Sequence, residues 1–376
     1  MSSSQLYPDI IDASTLGPIF SESLYLPIAV EGKMGADGDA TVGTAETITS
    51  PFEAVTAFGA SATSSLTALI LFLLKRGVAS VIAVASAEAE TPALEDRQAV
   101  WAQLEDDSTI RIRLTDSNVQ ADLVGLAESC LSAEGIYNKQ IAFGGLASGK
   151  TKGELISAAT AIASKRFVLV GPGVYDDVGV LQNGSFAAAA VAASVSKNLD
   201  ISDDLDTYTL AGLTGIEKDA FGLPLFRVKA NAGTPDNEFE TLLQGGVSPL
   251  KQNQYGGVEV THLRTTYTTD ETFDALMTRL IVDQLFLDVK KYCIDSKYLR
   301  RGNTAATRAD LQAGVAALLA DRSNWLLMVL QPDGKMGYGV AITSSPDNRQ
   351  LTVSYTGQVV RGISTILVDG HLEIPV

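Results

Sequence analysis

The stretch LKRGVASVIAVAS (residues 74–86) determines which class of fold the chain adopts. Leu66–Lys75 carries an apolar helical pattern, and Gly77 follows it where a helix C-cap commonly has glycine. The β-branched apolar run Val78–Ala85 comes directly afterwards and predicts a buried strand. A helix, a glycine turn and a strand therefore succeed one another within a few residues.

The same alternation extends in both directions over about 120 residues, which is typical of an α/β layer with mostly parallel strands. Further strands are predicted at Leu24–Val30, Thr109–Leu114, Gln140–Phe143 and Phe167–Val170. Further helices are predicted over 92–105, 118–132, 152–164 and 184–197. The alternating polarity of TIRIRL (109–114) predicts that one face of that strand is in water. The stretch 31–50 is rich in glycine and threonine and predicts a loop or short hairpin.

The chain after residue 240 follows a different order. A strand at Val258–Tyr267 precedes helices from 270 to about 292 and over 307–320. Four strands are then predicted at Trp325–Leu330, Gly339–Ile342, Leu351–Tyr355 and Val359–Leu367. This order predicts helices packed on a sheet, an α+β arrangement.

We therefore expect a multidomain protein of mixed α/β and α+β class. The predicted parts are an extended N-terminal arm, an α/β layered body, an α+β C-terminal domain and a C-terminal arm or strand. Their limits are 1–23, 24–240, 241–358 and 359–376.

Composition restricts the chemistry. The net charge is −16, and residues 1–250 carry all of it, which disfavours nucleic acid as a partner. The chain has two cysteines and two histidines, too few to favour a zinc site or a histidine-based triad. The N-terminus shows no secretory signal, and the apolar run Leu66–Leu74 is too short to cross a bilayer, so no membrane partner is expected. Aromatic residues are only 7%, which gives little support to a carbohydrate- or host-binding module.

One local basic cluster lies in the neutral C-terminal third. It is either a solvated helix end or a docking patch for an acidic partner. Its members are Lys290, Lys291, Lys297, Arg300, Arg301 and Arg308.

The segment GGLASGKT (144–151) matches the Walker A pattern, with Gly144, Gly149, Lys150 and Thr151 at the four required places. A nucleotide site also needs an apolar strand that ends in aspartate, to hold Mg²⁺. The next strand ends in glycine and proline instead, and Asp116 is the one candidate, after a strand predicted to be half in water. We interpret the match as a decoy and expect no cofactor and no metal; a P-loop nucleotide-binding protein is the alternative.

The segment GGVEVTHLRTTYTTDETFDALMTRLIVDQLFLDVKKY (256–292), here called the signature segment, resembles contractile tail sheath proteins. In that family an arginine on a strand precedes a Thr-Thr-Tyr-Thr-like run, and a helix with an acidic cap carries a second arginine. The matching positions are Arg264, Thr265, Thr266, Tyr267, Thr268, Asp270 and Arg279. The stretches 48–59, 74–86, 166–177 and 186–196 are similar to the family in the same order, so the resemblance covers nearly the whole chain. The resemblance is to the compact sheath proteins of phages and phage-like bacteriocins.

The resemblance implies a structural protein and not an enzyme. It implies that subunits stack as six-fold rings around a tail tube and contract to drive the tube through the host envelope. The implied partners are other copies of the chain, the tail tube protein, and baseplate and tail terminator proteins. The implied location is the virion tail, assembled in the host bacterial cytoplasm.

The resemblance also implies where contacts are made. The arms of neighbouring subunits add strands to the sheet of a third, which is β-augmentation. The body 24–240 would lie outside and the domain 241–358 inside, with Lys290, Lys291 and Lys297 facing an acidic tube. The inter-subunit residues would be Leu6, Tyr7, Ile10, Ile11, Val359, Val360, Ile363, Ile366 and Leu367.

Overall fold

A computed structural model describes residues 26–197, 208–231, 234–269, 275–295, 301–322, 338–346 and 351–357. The predicted arm residues, Leu6 to Ile11 and Val359 to Leu367, lie outside this part of the chain, as do Lys297 and the strand predicted at Trp325–Leu330.

The strands are β1 Ile28–Met34, β2 Ala45–Ile48, β3 Val81–Glu88, β4 Ile112–Thr115, β5 Ile141–Gly144, β6 Phe167–Gly171, β7 Val174–Asp176, β8 Leu181–Gln182, β9 Leu213–Ile216, β10 Val228–Asn231, β11 Thr234–Asn237, β12 Val247–Gln252, β13 Val258–Val260, β14 Tyr338–Ser344 and β15 Leu351–Gly357. The helices are α1 Pro51–Phe58, α2 Ser65–Lys75, α3 Leu94–Glu105, α4 Gln120–Gly135, α5 Lys152–Ile162, α6 Gly184–Lys197, α7 Glu238–Gln244, α8 Leu276–Asp295 and α9 Ala305–Ala320.

An eight-stranded sheet forms the centre of the body, in the order β13-β12-β6-β5-β4-β1-β3-β2. The six inner strands run parallel, and the edge strands β2 and β13 are antiparallel to their neighbours. Helices α1, α2 and α6 pack on one face, and α3, α4, α5 and α7 on the other. The predicted α/β layer with mostly parallel pairing is confirmed.

The turn at Gly77 explains a shift in one predicted strand. Gly77 has φ +81°, its N–H donates to Leu74 O, and the Val78 N–H donates to Leu73 O. These two bonds are the pair that closes a helix in a Schellman motif. Val78 therefore belongs to the turn, and β3 begins at Val81 instead of Val78.

Two other strand predictions were wrong. Strand β4 (Ile112–Thr115) has no wet face, because α3 and α4 cover the side that carries Arg113. That guanidinium is 1% exposed and donates to Ser129 Oγ at 2.9 Å and Gln140 Oε1 at 3.3 Å. The strand predicted at 258–267 ends at Val260. Strand β12 was not predicted from the sequence, and it pairs with both β13 and β6.

The eight-stranded sheet continues past residue 240, because β12 and β13 belong to it. The predicted division at that residue therefore falls between elements that share one sheet, and the domain limits themselves stay a prediction.

The C-terminal unit comprises α8, α9 and the hairpin β14–β15. Alternate side chains of the two strands pack on an apolar cluster that contains Ile281, Leu285 and Val315 from the helices. Within the described ranges, no helix combines the length and the apolar character that crossing a bilayer requires.

Helix α6 lies against the middle of the sheet because its side chains are small. Ala187, Ala188, Ala189 and Ala190 are each at most 1% exposed. At its start Gly184 touches the β5–α5 loop, where a Cβ on Gly184 would lie 2.6 Å from Leu146 O. A backbone oxygen at that distance cannot yield without moving the loop.

We therefore expect Gly184→Ala to lower the free energy of unfolding by about 1–3 kcal/mol, the usual range for overpacking. Urea denaturation followed by circular dichroism measures it. Gly153→Ala is the matched control, because a Cβ there meets no atom within 4 Å. It should be neutral or stabilising by up to about 1 kcal/mol. Equal effects of the two substitutions would contradict the close contact.

Candidate functional site

The Walker-like segment lies where a phosphate-binding loop would be found. It runs from Gly144, the last residue of β5, to Thr151, the N-cap of α5. Gly149 adopts φ +84°, a conformation that glycine takes at little cost. The strand–loop–helix context that the motif requires is therefore present.

Carboxylates of the same chain occupy the groups that would bind phosphate. The Gly149 N–H donates to Glu217 Oε1 at 2.5 Å, and the other oxygen of Glu217 accepts from the Gly173 N–H at 3.1 Å. Glu217 is 6% exposed, so its carboxylate approaches the loop from the protein interior and not from solvent.

Glu154 binds the lysine and the threonine of the motif. Lys150 Nζ lies 2.8 Å from Glu154 Oε1, and the N–H and hydroxyl of Thr151 both donate to Glu154 Oε2 at 2.9 Å. These bonds, that from Lys150 foremost, lower the pKa of Glu154 to about 2. A nucleotide would have to compete with two carboxylates that already hold the loop, and the P-loop alternative has no support.

Asp116, the sequence candidate for a Mg²⁺ ligand, is part of a buried ion cluster. Arg97 Nη1 lies 2.7 Å from Glu31 Oε1 and 2.8 Å from Asp116 Oδ1. Burial raises the pKa of Glu31, although the charge of Arg97 opposes this. The carboxylate of Asp116 also accepts from the Lys33 N–H at 2.8 Å.

This cluster fills the place where open α/β sheets usually bind ligands. Glu31 is on β1 and Asp116 follows β4, and the strand order reverses between these neighbours. Ligands of such sheets commonly bind at the carboxyl ends of the strands at that point. The sequence reading did not find the cluster, because its members are far apart in sequence and match no spacing pattern. Among the residues that the structure describes, no group of three or more His, Cys, Asp or Glu side chains is arranged to hold a metal.

A second buried ion cluster joins α8 to the body; we call it the junction cluster and define it as Arg166, Glu134, Asp283 and Arg279. Arg166 is fully buried, and its Nη2 donates to Asp283 Oδ1 at 2.9 Å and to Glu134 Oε1 at 2.7 Å. Nη1 of Arg166 also donates to Asp283. Arg279, on the same helix as Asp283, approaches Glu134 Oε1 at 4.0 Å.

The two carboxylates of the junction cluster come from different parts of the fold. Asp283 belongs to α8, whereas Glu134 is near the end of α4. Burial works to raise the pKa of Glu134, but hydrogen bonds and charge from Arg166 and Lys165 outweigh it and lower the pKa to about 2. The pKa of Arg166 is raised, because the two carboxylates outweigh the effect of its burial.

The signature segment contacts the same region of the body. The Thr266 N–H donates to Phe167 O at 2.9 Å, and its hydroxyl accepts from the Ser164 N–H at 2.9 Å. The Arg264 N–H donates to Ser248 Oγ at 2.9 Å and its Nη1 to Leu243 O at 3.1 Å. Thr265 is buried and Tyr267 is half-buried. Arg264, Thr266 and Arg279 therefore contact the body of their own chain and link α8 and the segment before it to the sheet.

The predicted tube-facing lysines lie near the end of α8. Lys291 is exposed and Lys290 is half-buried, while Lys297 falls outside the described part. Two arginines of the same basic cluster have partners within the chain: Arg301 lies 3.1 Å from Asp310 Oδ2, and Arg308 donates to Asn303 Oδ1 at 2.7 Å. The tube contact itself stays a prediction.

Comparison with known proteins gives a match by structure alone. No protein-family model matches the sequence, and neither does any curated protein. A chain of the anti-feeding prophage baseplate, 6-fold symmetrised, superposes with a TM-score of 0.69 at 12% identity and covers 94% of both chains. The anti-feeding prophage helical sheath in contracted state gives 0.67 at 12% identity, again over 94% of both. A sheath tail protein from Desulfitobacterium hafniense gives 0.62 at 11% identity, over 89% of this chain and 97% of that one.

The low pKa of Glu134 predicts a pH dependence of stability. A carboxyl whose folded pKa is lowered from 4.5 to about 2 adds stability above pH 4.5 that is lost as pH falls towards 2. We expect Glu134→Gln to cost on the order of 2 kcal/mol of unfolding free energy at pH 7. The difference from the wild-type protein should shrink between pH 4.5 and 2.

Urea midpoints measured across that pH range test this. Glu128→Gln, at an exposed position of the same helix, controls for the removal of one negative charge. A difference between wild type and Glu134→Gln that stays constant with pH would show that the ionised form of Glu134 does not stabilise the junction.

Proposed function

We propose that this chain, which has the fold of contractile tail sheath proteins, is a structural subunit of a contractile tail sheath. The observation that carries the proposal is the extent of the match: 94% of the chain superposes on a helical sheath in contracted state. The occupied Walker-like loop agrees with it, because a subunit that works by assembly needs no nucleotide. The role is structural and not enzymatic.

The polymer would form by strand addition. Among the described residues, β14 and β15 pair only with each other, so both outer edges of this hairpin present backbone N–H and C=O groups. An open strand edge is a template for further strands. We assign the added strands to the arms 1–23 and 359–376 of neighbouring subunits.

The outward face of the hairpin suits close neighbours. It consists of small, uncharged side chains that are exposed, while the alternate positions face the helices. The outward positions are Gly339, Ala341, Thr343, Thr352, Ser354 and Thr356.

Head-to-tail contacts of this kind give rings or helices and not closed dimers. We propose six-fold rings stacked around a tail tube, with the domain 241–358 inside and the body 24–240 outside. Contraction then needs no fuel, because an extended lattice that buries less surface can convert to one that buries more. The further partners would be the tube, baseplate and terminator proteins, and the location the virion tail, assembled in the host bacterial cytoplasm.

Deletion of residues 1–20 should leave a folded monomer that does not polymerise, because one of the two added strands is lost while the described body begins at Leu26. Negative-stain electron microscopy of the full-length and shortened proteins, each alone and with the tube protein, measures this. Full-length protein should form tubes or stacked rings. Normal polymers from the shortened protein would exclude a role of the N-terminal arm in assembly. A full-length protein that stays monomeric in every condition would argue against the sheath function.

Lys290 and Lys291 lie near the end of α8, which we propose faces an acidic tube. Reversal of charge at both should therefore weaken attachment to the tube. The loss should be larger at low salt, where charges are less screened. Co-sedimentation with assembled tubes measures attachment. Lys218→Glu, at an exposed position of the body, is a control for the single change Lys291→Glu. Equal attachment of the double variant and the wild type would refute the assigned surface.

A further inference from the structure

An apolar groove opens on the surface between the start of α1 and the end of α2. Its volume is about 570 Å³, and its walls are Pro51, Leu71, Leu74, Val78 and Ala79, with Lys75 at the rim. Ala79 and Lys75 are exposed, so the groove is accessible from solvent. Neither the Walker-like loop nor the junction cluster includes any of these residues.

The described chain begins at Leu26, just before the strand that neighbours β3, and Ala79 of the groove comes just before β3. Strands β1 and β3 are parallel with Ile28 opposite Val81, so the same register two residues earlier places Leu26 opposite Ala79. Adjacent strands are about 4.8 Å apart. Leu26 is fixed there, because its N–H donates to Ser196 O at 3.1 Å and its C=O accepts from Ser196 Oγ at 2.7 Å.

The residues just before Leu26 have the composition and the reach to fill the groove. They read FSESLY (20–25), with apolar side chains at Phe20, Leu24 and Tyr25. An extended chain advances about 3.3 Å per residue, so Leu24 can reach beyond Ala79 into the groove.

Another segment outside the described part starts close by, after Lys197. It carries four aspartates, Asp200, Asp203, Asp204 and Asp206, within residues 198–207. Burying such a charged stretch against leucine and valine is costly. The apolar lining therefore favours residues 20–25 as the occupant.

We propose that Leu24 and Tyr25 dock in this groove of their own chain and anchor the N-terminal arm at its base. Only the residues before the anchor then extend towards a neighbouring subunit. The anchor sets the direction in which the arm leaves the body. This inference does not depend on the sheath function, since it concerns the isolated chain.

Photocrosslinking of dilute monomer tests the proposal. Leu24→p-benzoylphenylalanine is introduced into full-length protein, and equal amounts of ¹⁵N-labelled and unlabelled copies are mixed before irradiation. Peptide mass spectrometry then separates crosslinks within one copy from crosslinks between copies. Ala79→Glu places a charge in the groove at an exposed position, and Ala121→Glu, at an exposed position of α4, is the matched control.

We expect crosslinks within one copy, to peptides that contain residues 49–52 or 71–79, and a several-fold lower yield with Ala79→Glu only. Crosslinks between labelled and unlabelled copies would assign the groove to a neighbour and overturn the proposal. A yield within one copy that Ala79→Glu leaves unchanged, or no crosslink to these peptides, would overturn it as well.

Discussion

The fully buried guanidinium of Arg166 constrains how α8 fits against the body of the molecule. A charge without water needs partners within the protein, and removing one partner of such a pair commonly costs about 3–5 kcal/mol. Its two partners are Asp283 from α8 and Glu134 from α4. Helix α8 therefore cannot shift along the sheet without leaving a buried charge unpaired. Because the hairpin β14–β15 packs on α8 and α9, its position relative to the body depends on the same cluster.

The body combines the architecture of ligand-binding α/β proteins with sites that the chain itself fills. A loop before a helix N-terminus and the point of strand reversal are the two places where such folds hold anions and cofactors. Here Glu217 and Glu154 occupy the first, and Glu31, Arg97 and Asp116 occupy the second. Side chains that fill these places add rigidity where an enzyme would need an open cleft. The same sheet can therefore serve as a stiff building block.

Local patterns in the sequence were enough to predict the layer but not the buried charges. The Gly77 turn and the alanine-rich α6 are encoded within a few residues, so they were predicted correctly. Alternating polarity misled at β4, because Arg113 looks like a surface residue until its partners are known. Glu217 and Gly149 are 68 residues apart, so only the folded chain shows that the Walker-like loop is occupied.

The contrast between the packed body and the open strand edges of the hairpin suggests how a polymer of this chain would change shape. Inside the chain, the parallel sheet and α6 are buried and closely packed, and the charged groups of the junction cluster are paired with one another. At the hairpin, by contrast, the outer edges of β14 and β15 have no strand partner among the described residues. Main-chain bonds across such an edge join subunits through chain segments and not through the packed bodies. A lattice built in this way can let whole bodies turn relative to one another while its strand pairs persist. In the proposed lattice the conformational change would lie between subunits, because the buried charges make a change within them more costly.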